Sequence, residues 1–224
     1  MIKEVKTTQL KRDSFMKEIH SKEELRFYIA ADMMMNHGKF HWSWKDRLKH
    51  IVAPAYIMRY LKHLRYLQYL SCSKQSSPLG LCRFLYHKIR YRQLGYRLGF
   101  SIDYNALGYG VNIPHYGTIV VGRTSTIGNY AVLHTSTCVT GTGNEIGDAP
   151  YISTGAKVIS TVKIGDNVAL GANCVVNKDI PANCMAAGIP AKAIKPSQPW
   201  YIRDGQKFSD RVSAIEALKA QMLG

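Results

Sequence analysis

At 224 residues the chain is long enough for one large or two small domains, and its apolar fraction of 46% is that of an ordinary globular protein. No stretch approaches the roughly 18 apolar residues that span a bilayer, and Met1 to His20 has no apolar run resembling a signal peptide. Five cysteines, an odd number with no CxxC pair, fit no disulfide framework and point to a cytoplasmic protein.

The front of the chain reads as helical. Ser21-Lys22-Glu23-Glu24 has the form of a capping box, with Leu25, Tyr28, Ile29 and Met33 as an apolar stripe and Gly38 as a stop. A second helix follows Pro54, carrying Ile57, Tyr60, Leu61, Leu64 and Leu67, and Ser73 to Pro78 is a polar break. A third helix is expected from about Leu79 to Leu98, with Leu81, Leu85, Ile89 and Tyr96 as its apolar residues. The net charge of +15 is concentrated here. Lys45 to Arg97 holds twelve Lys or Arg against one acid, Asp46, with tyrosines interleaved. Such a surface attracts polyanions, a peripheral membrane or phosphoglycan contact among them, or else it is a solvated basic face.

From Ile127 the pattern changes. Ile127, Leu133 and Val139 recur every sixth residue, the frame slips around Gly141 to Asn144, and it resumes through Ile152, Val158, Ile164, Leu170 and Val176. That period fits neither a helix face nor one alternating strand. It is the mark of a parallel β-helix, with the aliphatic residue pointing into the axis of a prism. Gly128, Gly165 and Gly171, each just after an aliphatic residue, suit sharp corners, and small Ala131, Ala156 and Cys174 occupy crowded positions. Cys138 and Cys174 read as small buried hydrophobes. Lys195 to Pro199 reads as a linker, and Ser209 as the cap of a last amphipathic helix. The expected fold class is α+β: a basic helical module (1–98), a β-helix (99–195), then a linker and short C-terminal helix (196–224).

Three stretches could carry chemistry. His115, in Asn112-Ile113-Pro114-His115-Tyr116-Gly117, is a lone histidine before an aliphatic run, suited to proton transfer near neutral pH or to a structural role. Gly141-Thr142-Gly143, where the period slips, suggests a loop bulging from the coil with exposed backbone N–H groups. Gly188-Ile189-Pro190-Ala191-Lys192, with Lys195 beyond, offers a fixed turn and two cations for phosphate oxygens.

The order and spacing of His115…Ile119-Val120-Val121-Gly122, Gly141-Thr142-Gly143, Gly155-Ala156, Gly171-Ala172 and Gly188-Ile189-Pro190-Ala191 resemble the serine O-acetyltransferases. These are left-handed β-helix hexapeptide acyltransferases, and the short forms linked to surface-polysaccharide genes are the most similar. The resemblance implies a left-handed β-helix, a homotrimer or a dimer of trimers, acetyl-CoA as cosubstrate, no metal, and no acyl-enzyme. His115 would be the general base for a small-molecule acceptor. Gly141, Thr142, Gly143, Ala156, Ala172, Gly188, Pro190, Ala191, Lys192 and Lys195 would bind the cofactor. The chain departs from the pattern at the acceptor: Pro114 replaces the aspartate before the histidine, and Ser101 or Asp103 stands nearest the orienting aspartate. The front's Arg-Asp-Pro-Ala reads Asn36-His37-Gly38-Lys39. L-serine is the favoured acceptor, a sugar or polysaccharide precursor the alternative, and a non-catalytic trimeric scaffold a further one. A zinc-dependent hydratase using His115 and His134 lacks a third ligand at suitable spacing, and no nucleic-acid-reading motif is present.

Overall fold

The computed structural model describes residues 18–72 and 77–224. The readings made of Met1 to His20 and of the polar break at Ser73 to Pro78 fall largely outside those residues.

Four helices lead the chain: α1 (Lys22–His37), α2 (Trp44–Val52), α3 (Tyr56–Cys72) and α4 (Pro78–Leu98). Ser21 caps α1 by accepting from Glu24 N–H at 3.0 Å, while the Glu24 carboxylate reaches His20 N–H at 2.7 Å. Gly38 ends it in the left-handed conformation at φ 71°. The helix α2 is absent from the sequence-based expectation. It is a nine-residue helix with a complete Ser43/Asp46 capping box and no buried residue. The helix α4 forms as expected, but its apolar stripe is turned to solvent. Leu81, Leu85, Ile89 and Tyr96 are exposed, and Leu94, Gly95 and Leu98 are buried instead.

The repeat folds as expected into a left-handed parallel β-helix with three flat faces. The first sheet stacks β1 (Phe100–Ile102), β2 (Ile119–Val121), β5 (Thr137–Val139), β8 (Lys157–Val158) and β11 (Val175–Val176). The second stacks β3 (Thr126–Ile127), β6 (Glu145–Ile146) and β9 (Lys163–Ile164). The third stacks β4 (Val132–Leu133), β7 (Tyr151–Ile152), β10 (Ala169–Leu170) and β12 (Cys184–Gly188), with β13 (Ala191–Pro196) added antiparallel. The short strands turn aliphatic side chains inward in register, so Val121, Val139, Val158 and Val176 form one buried column. The slip in the period is a single extra residue between Val139 and Ile146, and Ile146 resumes the core at 5% exposure.

The corner glycines have a different origin from the one expected. Gly128, Gly165 and Gly171 are not in the left-handed region; Tyr130, Ser136, Asn167, Asn173 and Asn183 occupy it instead. Gly165 is required by the next rung, because a Cβ there would lie 2.5 Å from Ala182 N. Ala131, Ala156 and Cys174 are buried as expected, but Cys138 is only half-buried.

A buried polar network fixes the front to the first coil. Arg65 grips Asp32 through two parallel bonds, Nε–Oδ2 at 2.7 Å and Nη2–Oδ1 at 3.1 Å, and its remaining donors reach Gln68 and the Leu107 and Gly108 carbonyls. Both charges are fully buried, so removing either partner should cost about 3–5 kcal/mol. Behind the third sheet, α6 (Gln206–Leu223) packs on α1, and the short α5 (Trp200–Arg203) packs on α6. The final helix starts at Gln206 rather than at Ser209, whose hydroxyl instead donates to Tyr201 O at 2.9 Å. Trp200, fully buried, donates from Nε1 to Tyr130 O at 2.7 Å.

Candidate active site

His115 and several of the expected cofactor residues fall along one edge of the prism. Leu133, Ile152, Leu170 and Ala186 stack in register on the third sheet, so the residues after each turn the same corner. On successive rungs these are Pro114-His115, His134-Thr135, Ser153 to Ala156, Gly171-Ala172 and Ala187-Gly188. Backbone bonds join the steps: Gly155 N–H donates to Thr135 O and Asn173 N–H to Thr154 O, both at 3.0 Å.

His115 is exposed, on a corner two residues longer than the others, and the helical front sets its position. Asn36 donates from Nδ2 to Val111 O at 2.7 Å and accepts from Ile113 N–H at 3.2 Å. Gly117 N–H donates to Leu98 O at 2.9 Å, closing the far side of the loop. One rung on, His134 Nε2 lies 2.9 Å from the Tyr151 hydroxyl. Burial lowers the His134 pKa, and the nearby His115 lowers it further. The edge therefore pairs an exposed imidazole with a neighbour biased toward its neutral form. Asp103 lies past the first sheet, on the corner after it, and caps Asn105 N–H at 3.0 Å, whereas His115 lies before that sheet. Among the described residues, the triad of possible metal ligands is Glu18, His20 and Cys72, which includes neither His115 nor His134.

Beside His115 a cleft of about 500 Å3 opens between the coil and the helices. His37, Asn112, Pro114, Tyr116, Lys207 and Arg211 line it, and none of its lining residues is an acid. Arg211 donates to Met35 O at 2.6 Å and lies over the Phe208 ring. Lys207 and Arg211 come from the last helix, and no local sequence signal connects them with His115.

The expected cofactor residues divide. Ala172, Gly188 and Pro190 are exposed along the His115 edge, and Lys192 and Lys195 are exposed on β13. Ala156 and Ala191 are buried in the core, so their side chains offer no surface to a ligand. Gly141, Thr142 and Gly143 lie on the corner after the first sheet, across that face from His115. They form no bulging loop. Thr124 Oγ1 donates to Gly141 O at 2.8 Å, and the Thr142 and Thr161 hydroxyls meet at 2.9 Å. Nothing lies within 4 Å of a Cβ built on Gly143, so the space on that side of its Cα is open, and the residue is half-buried.

Fold and edge together define a hexapeptide-repeat β-helix protein with a histidine-bearing corner and a helical front. Its relatives are serine acetyltransferases. The enzyme of that name from Synechococcus elongatus is 35% identical over 95 residues, covering 39% of each chain. Among solved structures, a serine acetyltransferase in complex with CoA aligns over 76% of this chain and 68% of its own, with TM-score 0.53 and 22% identity. The Neisseria gonorrhoeae enzyme in complex with serine aligns over 77% and 70%, with TM-score 0.55 and 21% identity. At those identities the structures carry the fold. The chain spans between 39% and 57% of the length of the curated relatives it matches. No protein-family model matches it.

Proposed function

We propose that this chain transfers an acetyl group from acetyl-CoA to the hydroxyl of a small acceptor, with L-serine first in line. The observation that carries the reading is the edge itself. An exposed histidine stands at the head of a file of small residues, in a chain 35% identical over 95 residues to an enzyme named for this reaction. His115 Nε2 or Nδ1 accepts the acceptor's hydroxyl proton, and the oxygen attacks the thioester carbonyl carbon. The tetrahedral species then expels the CoA thiolate, which takes the proton from the imidazolium. Acetyl passes directly, and no cysteine is acylated. The Gly143 N–H is the candidate oxyanion donor, at a position where the space beside Cα is open. Because Gly143 and His115 lie on different corners of one chain, the site is completed by a neighbouring copy, in a homotrimer or a dimer of trimers. Lys192 and Lys195 would meet the phosphates of CoA. A cytosolic cosubstrate agrees with five free thiols, and among the described residues no helix is long and apolar enough to cross a membrane.

One observation favours a second acceptor class. The cleft beside His115 has cationic and aromatic walls and no carboxylate to receive an amino acid's ammonium group. A sugar or polysaccharide precursor needs no such partner. A thiol-release assay with acetyl-CoA against serine and a panel of sugars separates the two. Release that no acceptor stimulates would remove the enzymatic reading and leave a scaffold.

A further inference from the structure

In a water-soluble amphipathic helix the apolar face packs inward and the charged face meets solvent. Helix α2 is built the other way round. Trp44, Leu48, Ile51 and Val52, spaced to share one face, are 68%, 56%, 74% and 89% exposed. The polar residues Asp46 and His50 turn toward the protein. Asp46 accepts from Lys39 Nζ at 2.8 Å and from Ser43 N–H at 2.9 Å, and His50 Nδ1 lies 2.9 Å from Ala53 O with its ring against Trp42. Exposed Lys45, Arg47 and Lys49 flank the outward apolar face.

Helix α4 repeats the arrangement at greater length. Leu81, Leu85 and Ile89 at spacing four, with Tyr96 two turns on, form an exposed stripe bordered by exposed Arg83, Lys88, Arg90, Arg92 and Arg97. From Trp44 to Leu98 the only acid is Asp46, already bound to Lys39. A second copy of this chain is a poor occupant for these faces, because a symmetric contact would set lysine and arginine against lysine and arginine. A surface that is apolar beneath and negative above matches both the stripe and its border.

We propose that the front is a membrane-docking surface. Helices α2 and α4 lie in the headgroup region of an anionic bilayer, with Trp44, Leu48, Ile51, Leu85 and Ile89 inserted and the flanking Lys and Arg on lipid phosphates. The proposal is independent of the acetyltransferase reading and is tested without it.

The test is co-sedimentation of the full chain with vesicles of phosphatidylcholine alone and of phosphatidylcholine with 30% phosphatidylglycerol. Binding is expected to the anionic vesicles only, weakening as salt rises from 50 to 500 mM. Replacing Lys45 and Lys49 by Gln should weaken it by about fivefold per residue. Neutral Leu48→Ser/Ile51→Ser and Leu85→Ser/Ile89→Ser variants, whose circular dichroism should match the parent, should each lose at least tenfold. Three outcomes overturn the proposal. They are no binding to anionic vesicles, binding that survives the Ser substitutions (a purely electrostatic attraction shared with any polyanion), and a change in oligomeric state in the Ser variants without change in vesicle binding, which would make the face a subunit contact.

Discussion

His115 combines exposure with a backbone held from both sides, by Asn36 at Val111 and Ile113 and by Leu98 at Gly117. A base of this kind keeps its position while its ring stays accessible. Replacing it with Asn retains size and polarity but removes proton acceptance, so kcat should fall about 10²–10⁴-fold with little change in acetyl-CoA binding. Steady-state kinetics with serine and sugar acceptors checks this, and near-parental rates would make His115 structural and shift attention to His134. Lys192 and Lys195 work differently. Both are exposed, so the charge each offers a phosphate is screened, and changing both to Ala should raise the acetyl-CoA KM several-fold at nearly unchanged kcat. A fall in kcat at constant KM would give these lysines another role. The histidine stood out in the sequence because it stands alone just before an aliphatic run. Its neighbourhood did not, because His134 and Tyr151 meet across a rung, and Lys207 and Arg211 arrive from a helix some ninety residues away.

Helices and strands differ in how far their patterns could be read. The six-residue period was legible because every rung repeats one inward aliphatic, and even its slip marked the extra residue before Ile146 correctly. Helical periodicity names a face without saying which way it points. The Leu81, Leu85 and Ile89 stripe therefore gave no sign that it meets solvent, and α2 offered too short and too inverted a pattern to register. Where α3 meets α4, His63 and His87 face each other with Nδ1 atoms 2.9 Å apart, and the His87 ring stacks on Tyr66. Burial holds both at a pKa of about 4, with His87 and Arg90 adding to the effect on His63, and Arg83 and Lys62 on His87. One ring must donate and the other accept, so the contact needs at least one of them neutral. The unfolded chain binds protons near pH 6.5 and the folded one only near 4. The pair's contribution is therefore complete above about pH 6.5 and is lost progressively as pH falls toward 4. Thermal melts should show Tm dropping across that window. The drop should be smaller in His87→Phe, which keeps the stack on Tyr66 without the titration, and an unchanged pH dependence in that variant would assign the effect to other groups.

At the scale of the whole molecule, the division of the site between two corners predicts the assembly. Light scattering at micromolar concentration should give a mass of three or six chains, and a monomer that still released thiol would dismiss the shared site. The terminal hairpin has a consequence of another kind. The rungs of a parallel β-helix repeat at the strand spacing of a cross-β fibre, and the last rung of any such stack presents open N–H and C=O groups to whatever strand comes next. On the third face β13 folds back antiparallel on β12, which occupies those groups from within the chain, and it places Lys192 and Lys195 at the new margin. The same two cations proposed to receive CoA thus also set positive charge against a second prism approaching end-on along that face.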